Sequence, residues 1–115
     1  MSRSVERGKP KVSEAEIQRS ILGYLKLKGI FAWRQNSGSF RMENNGKSRF
    51  VRAGFTGISD IIGIMPDGTF LAIEVKRPGN VATLDQRAFL DAVRANCGDA
   101  FVATSIEDVR RELGI

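Results

Sequence analysis

Apolar positions along the chain fall into stretches of helical and of extended periodicity, separated by clear breakers. Ile17, Ile21, Leu22, Tyr24 and Leu25 recur at helical intervals. Ser13 and Glu16 precede them at the spacing of a capping box, in which each side chain satisfies a free backbone donor at a helix start. Gly29 ends this helix. Ile30 to Trp33 reads as a short strand, with Phe31 and Trp33 expected in the core rather than as platforms for bases. A polar loop, Gln35 to Ser39, leads to residues 40–52, a solvated hairpin turning at Asn45-Gly46. Ile58 to Met65 is a continuous apolar run suited to a buried strand. Pro66-Asp67-Gly68 turns the chain, and Thr69 to Lys76 returns as the partner strand. Pro78-Gly79-Asn80 breaks the pattern again. A second helix starts at Thr83, whose spacing to Gln86 forms another capping box, with Leu84, Ala88, Phe89, Ala92 and Val93 expected on its inner side. Gly98 is expected to close it. Ala100 to Ala103 is a core strand, and Ser105 caps a final helix reaching Leu113. Residues 1–12 show no periodicity and read as a flexible basic arm, leaving 13–115 as a single domain. The predicted class is α/β, a mixed central β-sheet flanked by helices.

Composition narrows the chemistry. With no His and one Cys, a Cys/His zinc site is excluded, so any metal must sit among oxygen ligands. The lone Cys97 cannot form an internal disulfide, which suits a cytoplasmic protein. No apolar run approaches the roughly 18 residues of a membrane span. The net charge of +5 is unevenly spread: residues 1–60 hold twelve Lys/Arg against five Asp/Glu, while residues 61–115 hold six against eight. Between Lys26 and Arg52, seven basic residues accompany a single acid, Glu43. Such a stretch suits a polyanionic partner, although charge alone fits a solubilising face equally well.

The returning strand carries the chemistry. In Phe70-Leu71-Ala72-Ile73-Glu74-Val75-Lys76, alternation sets Leu71, Ile73 and Val75 on one face and Ala72, Glu74 and Lys76 on the other. The turn at Pro66-Asp67-Gly68 brings Asp60, at the start of the first strand, across from Glu74. Two carboxylates with the Val75 carbonyl suit Mg²⁺ or Mn²⁺, and Lys76 can orient an attacking water or balance developing charge. Any one of these residues alone reads more simply as a surface ion pair or a turn. All three together, interrupting very apolar strands, favour a site.

Gly57-Ile58-Ser59-Asp60-Ile61-Ile62-Gly63, the Ile73-Glu74-Val75-Lys76 segment and the downstream Thr83-x-x-Gln86-x-x-Phe89-Leu90 together resemble the VRR-NUC branch of the PD-(D/E)XK nuclease superfamily. The resemblance runs from about Ser13 to Leu113. It implies a restriction-endonuclease-like fold, metal binding by Asp60 and Glu74, and a catalytic Lys76. It also implies an acidic residue on the first helix, for which Glu14 is favoured over Glu16, and a site role for Gln86 that competes with its capping role. Asn36 and Ser37 resemble the loop that approaches the scissile phosphate. Arg34, Lys47, Arg49 and Arg52 are the basic residues expected near DNA. Standalone proteins of this type occur in phages and bacteria and resemble Holliday-junction resolvases, which implies a homodimer acting on branched DNA in the cytoplasm of a bacterial or phage-infected cell. The rivals are a catalytically silent DNA-binding module of the same fold and an RNA-directed nuclease.

Overall fold

The computed structural model describes residues 12–35, 39–52 and 56–115. In chain order the elements are α1 (Glu14–Leu27), β1 (Phe31–Arg34), β2 (Ser39–Asn44), β3 (Lys47–Arg52), β4 (Ile61–Ile64), β5 (Phe70–Val75), α2 (Leu84–Ala95), β6 (Asp99–Ala103) and α3 (Ile106–Leu113). The proposed flexible arm, apart from Val12, lies outside the described residues.

Four strands form a mixed sheet in the order β1-β4-β5-β6. β1 and β4 pair antiparallel, as do β4 and β5, whereas β5 and β6 pair parallel. The parallel step needs a crossover, which α2 supplies. β2 and β3 pair in register around Asn45 and Gly46 as a separate two-stranded sheet. The mixed α/β class read from the sequence is the class observed.

The side chains of the sheet divide between two apolar clusters by simple alternation. Leu71, Ile73 and Val75 join Ile61, Phe101 and Ala103 beneath Ile17, Ile21 and Leu25 of α1 and Val109 of α3. Ala72, Ile62 and Ala100 face the other way, under Leu90 and Val93 of α2. α1 and α3 therefore cover one face, and α2 packs on β5 and β6 of the other.

All three helices start where the sequence places a cap. Ser13 and Glu16 form a complete capping box, as do Thr83 and Gln86, and the Ser105 hydroxyl accepts from the Asp108 amide. Asp67 belongs to the β4–β5 turn, where its carboxylate accepts from the Thr69 amide at 3.0 Å.

Several expectations are corrected. β4 is shorter than the apolar run, because Ile58 to Asp60 lie ahead of the ladder. Phe31 and Trp33 are not core: they alternate outward on the edge strand, while Ile30 and Ala32 take the inward positions. On α2, Leu84, Ala88 and Ala92 are exposed and Leu90 with Val93 is buried, so the inner stripe is rotated from the one read off the sequence. Gly98 does not provide the left-handed turn after α2. Cys97 does, at φ 67°, whereas Gly98 is needed for close packing: a Cβ there would stand 2.6 Å from Val93 Cγ1.

Candidate active site

The site begins where β4 joins the sheet. The register Ile61↔Ile73 sets Asp60 opposite Glu74, one rung beyond the last β4–β5 pair. Asp60 is held from both sides. Its backbone carbonyl accepts the Gln35 amide at 2.7 Å on the β1 side, and its Oδ2 accepts the Val75 amide at 2.9 Å on the β5 side. The side chain thus takes the place of a ladder carbonyl, and the sheet itself fixes the carboxylate.

Glu74 is 1% exposed, an ionisable residue in a strand buried on both faces. Lys76 points to the same side, as alternation requires, with Nζ 3.8 Å from Glu74 Oε2. Glu74 Oε1 is buried and has no hydrogen-bond partner among the described residues. Burial raises the Glu74 pKa most, and the Asp60 charge and hydrogen bonding with the Asp60 carboxyl raise it further. Lys76 opposes them and Glu14 adds a small repulsion, and together they leave the group pushed up to about 8. Two carboxyls this close hold a proton readily, and each is a ready ligand for a cation that replaces the proton.

The Lys76 amide donates to Ala103 of β6. In a planar trans peptide the preceding carbonyl points the opposite way, so the Val75 carbonyl is directed away from β6, toward the Asp60 side. These oxygens fit a hard divalent cation, and the unpartnered Oε1 of Glu74 is the observation that favours one. No group of three His, Cys, Asp or Glu side chains among the described residues is close enough to hold an ion unaided.

Glu14 and Glu16, the two acids at the start of α1, separate cleanly. Glu16 is exposed, and its carboxylate accepts the Ser13 amide at 2.9 Å. Glu14 is half-buried and acts electrostatically on Glu74. The first turn of α2 reaches the site through Gly57. At φ 80° this residue lies so close to the helix that a Cβ would stand 2.3 Å from the Asp85 carbonyl oxygen and 2.9 Å from the Gln86 amide nitrogen. The Gln86 carboxamide oxygen accepts the Thr83 amide at 2.9 Å, so capping already occupies that oxygen.

With this geometry in view, the family comparison is decisive: the model of the VRR-NUC domain matches residues 13–107. The chain belongs to the VRR-NUC domain family. The VRR-NUC domain is a nuclease domain of the PD-(D/E)XK type, and DNA is the partner such a domain implies. Among curated proteins, no sequence matches the chain significantly. The match starts at Ser13, the cap of α1, and ends at Glu107 in the first turn of α3, so it takes in every strand and the whole Asp60–Glu74–Lys76 cluster.

The basic residues expected near DNA are placed unevenly in this VRR-NUC domain. Arg34 is exposed at the end of β1, opposite Ile61. Lys47 is exposed at the β2–β3 turn. Arg49 and Arg52 lie on β3, in register with Met42 and Ser39. Asn36 and Ser37 fall outside the described residues. Two residues passed over in the sequence stand out here. Gln18 and Ser59 are buried, and the Gln18 Oε1 and Ser59 Oγ lack hydrogen-bond partners among the described residues. Gln18 lies one turn after Glu14, and Ser59 precedes Asp60. A polar residue inside the Ile17–Ile21 stripe was the available signal for Gln18. No helix among the described residues is long and apolar enough to cross a membrane.

Proposed function

We propose that this VRR-NUC domain is a Mg²⁺- or Mn²⁺-dependent endonuclease that hydrolyses DNA phosphodiester bonds, structure-specific for branched DNA such as a Holliday junction. The observation that supports it best is the buried, unpartnered Oε1 of Glu74 beside Asp60. A cation would be held by Asp60, Glu74 and the Val75 carbonyl, with Glu14 alongside. When bound, it supplies a water of lowered pKa and charge stabilisation on a phosphate oxygen. The protein does the positioning. Asp60 is locked by the Val75 amide, and the Asp60–Glu74 pair gives up its proton to become the anionic cradle. The Lys76 ammonium, tethered near Glu74, faces the same site and balances charge gathering on the phosphate or orients the attacking water. Acting on intracellular DNA, the enzyme belongs in the cytoplasm of a bacterial or phage-infected cell. One domain carries one such site, so cutting two strands of a junction calls for a homodimer.

Cleavage of a four-way junction against a matched linear duplex and an RNA duplex, with and without metal, tests this reading. The junction is expected to be cut only with metal, and Glu74→Gln and Lys76→Ala to slow the cut by about 10²–10⁴-fold. Variants that cut as fast as the parent overturn the mechanism. A junction that is bound with a steep salt slope but never cut would mark a DNA-binding module instead. Preferential cleavage of RNA would overturn the substrate.

A further inference from the structure

Directly opposed residues of an antiparallel ladder point to the same side of a sheet. Three rungs of one face follow from the register: Phe31–Ile64–Phe70, then Trp33–Ile62–Ala72, then Gln35–Asp60–Glu74 one step further. The aromatic residues of β1 therefore share a face with the two carboxylates. α2 packs on β5 and β6 of that face and buries Ile62 of β4, while Phe31 and Trp33 of β1 stay exposed. Phe31 is 68% exposed, Ile64 41%, Phe70 42% and Trp33 38%. The Phe31 and Trp33 rings lie 5.2 Å apart, tilted by 51°.

The stretch of chain that carries this aromatic pair has charge of one sign. From Ile17 to Met42 the chain has five Lys/Arg and no Asp or Glu. Arg19 and Lys26 of α1 join Phe31 and Trp33 in lining a groove of about 590 Å³ at the sheet edge. Arg34, exposed, follows Trp33 on the other side of the strand, in the rung of Ile61 where α1 packs. Trp33 is two residues from Gln35, about 7 Å along an extended strand.

We propose that this edge binds an unpaired strand of nucleic acid. Bases stack on Trp33 and Phe31, phosphates lie along Arg19, Lys26 and Arg34, and the backbone is led to the Asp60–Glu74 rung. Charge decides between this occupant and a second copy of the chain: a second copy using the same edge would set like charges together, whereas a polyanion neutralises them. Aromatic faces with a basic border accept any base, because every base has a flat face. Stacking on the pair requires a base that is out of its duplex, so the substrate class narrows to DNA with an unpaired segment beside the cut. That narrowing rests on the nuclease reading above; the binding itself does not.

Trp33 is the only tryptophan, so intrinsic fluorescence reports on this edge alone. The full chain, held in EDTA, is titrated with a thymidine oligonucleotide and separately with a blunt hairpin duplex. The oligonucleotide is expected to quench Trp33 saturably, and Phe31→Ala to weaken it by roughly tenfold. Arg34→Ala is expected to lower the salt slope by about one. Phe31 is exposed, so its loss leaves the fold intact, as circular dichroism checks. Unchanged affinity in Phe31→Ala, or equal quenching by the duplex, overturns the proposal. So does an emission change driven by protein concentration alone with a dimer in sedimentation, which would seat a second copy on this face. Quenching in EDTA, followed by no cleavage of the junction once Mg²⁺ is supplied, would defeat the nuclease reading and leave the strand-binding edge standing.

Discussion

The two faces of the four-stranded sheet are built from the same strands, residue by residue in alternation, yet they do different work. Under α1 and α3 the face is closed: Ile17, Ile21, Leu25, Ile61, Ile73 and Val75 pack into one apolar cluster. Under α2 the face is only half covered. Its apolar cluster is smaller, and the aromatic pair lies exposed beyond it, while Asp60, Glu74 and Lys76 stand further along the same face with Glu74 buried. A buried carboxyl such as Glu74 is costly, and the closed face provides the stability that lets the open face keep it.

Breaking the closed face gives the largest effect on stability. Ile21→Ala removes a fully buried side chain and is expected to cost about 2–5 kcal/mol in urea unfolding. Phe31→Ala on the open face is expected to cost less than about 1 kcal/mol. Equal losses would mean that the open face is covered in solution.

The pH dependence of stability sharpens the contrast. Folding raises the Glu74 pKa to about 8, so between the ordinary carboxyl range and that value the folded chain keeps a proton that the unfolded chain has released. Stability of the metal-free protein therefore falls as pH rises from about 4.5 to about 8 and levels beyond it, by up to about 1.4 kcal/mol per pH unit. Glu74→Gln is expected to flatten the profile. Mg²⁺ is expected to raise the Tm more at pH 8 than at pH 6, since it requires the ionised pair. Calorimetry across that range checks both, and a Tm that climbs steadily toward pH 8 without metal would contradict them.

The smallest effect separates the two acids of α1. Glu16→Gln is expected to lower the Tm slightly through the capping box and leave cleavage unchanged. Glu14→Gln is expected to keep the Tm and slow cleavage. The reverse pattern would move the first-helix acid to Glu16.

How much of this was legible in the chain depended on how local each cause is. Alternation along Phe70–Lys76 and the Pro66-Asp67-Gly68 turn were enough to place Asp60, Glu74 and Lys76 together. Caps at Ser13, Thr83 and Ser105 were legible because a cap is settled within four residues. The exposure of Phe31 and Trp33 was not, because it depends on β1 being an edge strand and on α2 packing over β5 and β6. The inner stripe of α2 escaped for the same reason: Leu84 and Ala92 are apolar, but the angle of the helix on the sheet turns them outward. Gln18 looked like an ordinary polar residue until packing buried it.

One consequence follows from the way Asp60 is held between Gln35 and Val75. Ser59 and Asp60 project to opposite sides, so a slip of β4 by a single residue would exchange them, turning the hydroxyl toward the open face and driving the carboxylate among Ile17 and Ile21. The amide of Val75 would lose its acceptor at the same step. Under the proposed mechanism, strand alignment and catalytic competence are therefore one and the same condition in this domain. A lengthened or shortened turn at Pro66–Gly68 acts as a frameshift in three dimensions, and phosphodiester cleavage becomes a direct assay of whether the hairpin has zipped in frame.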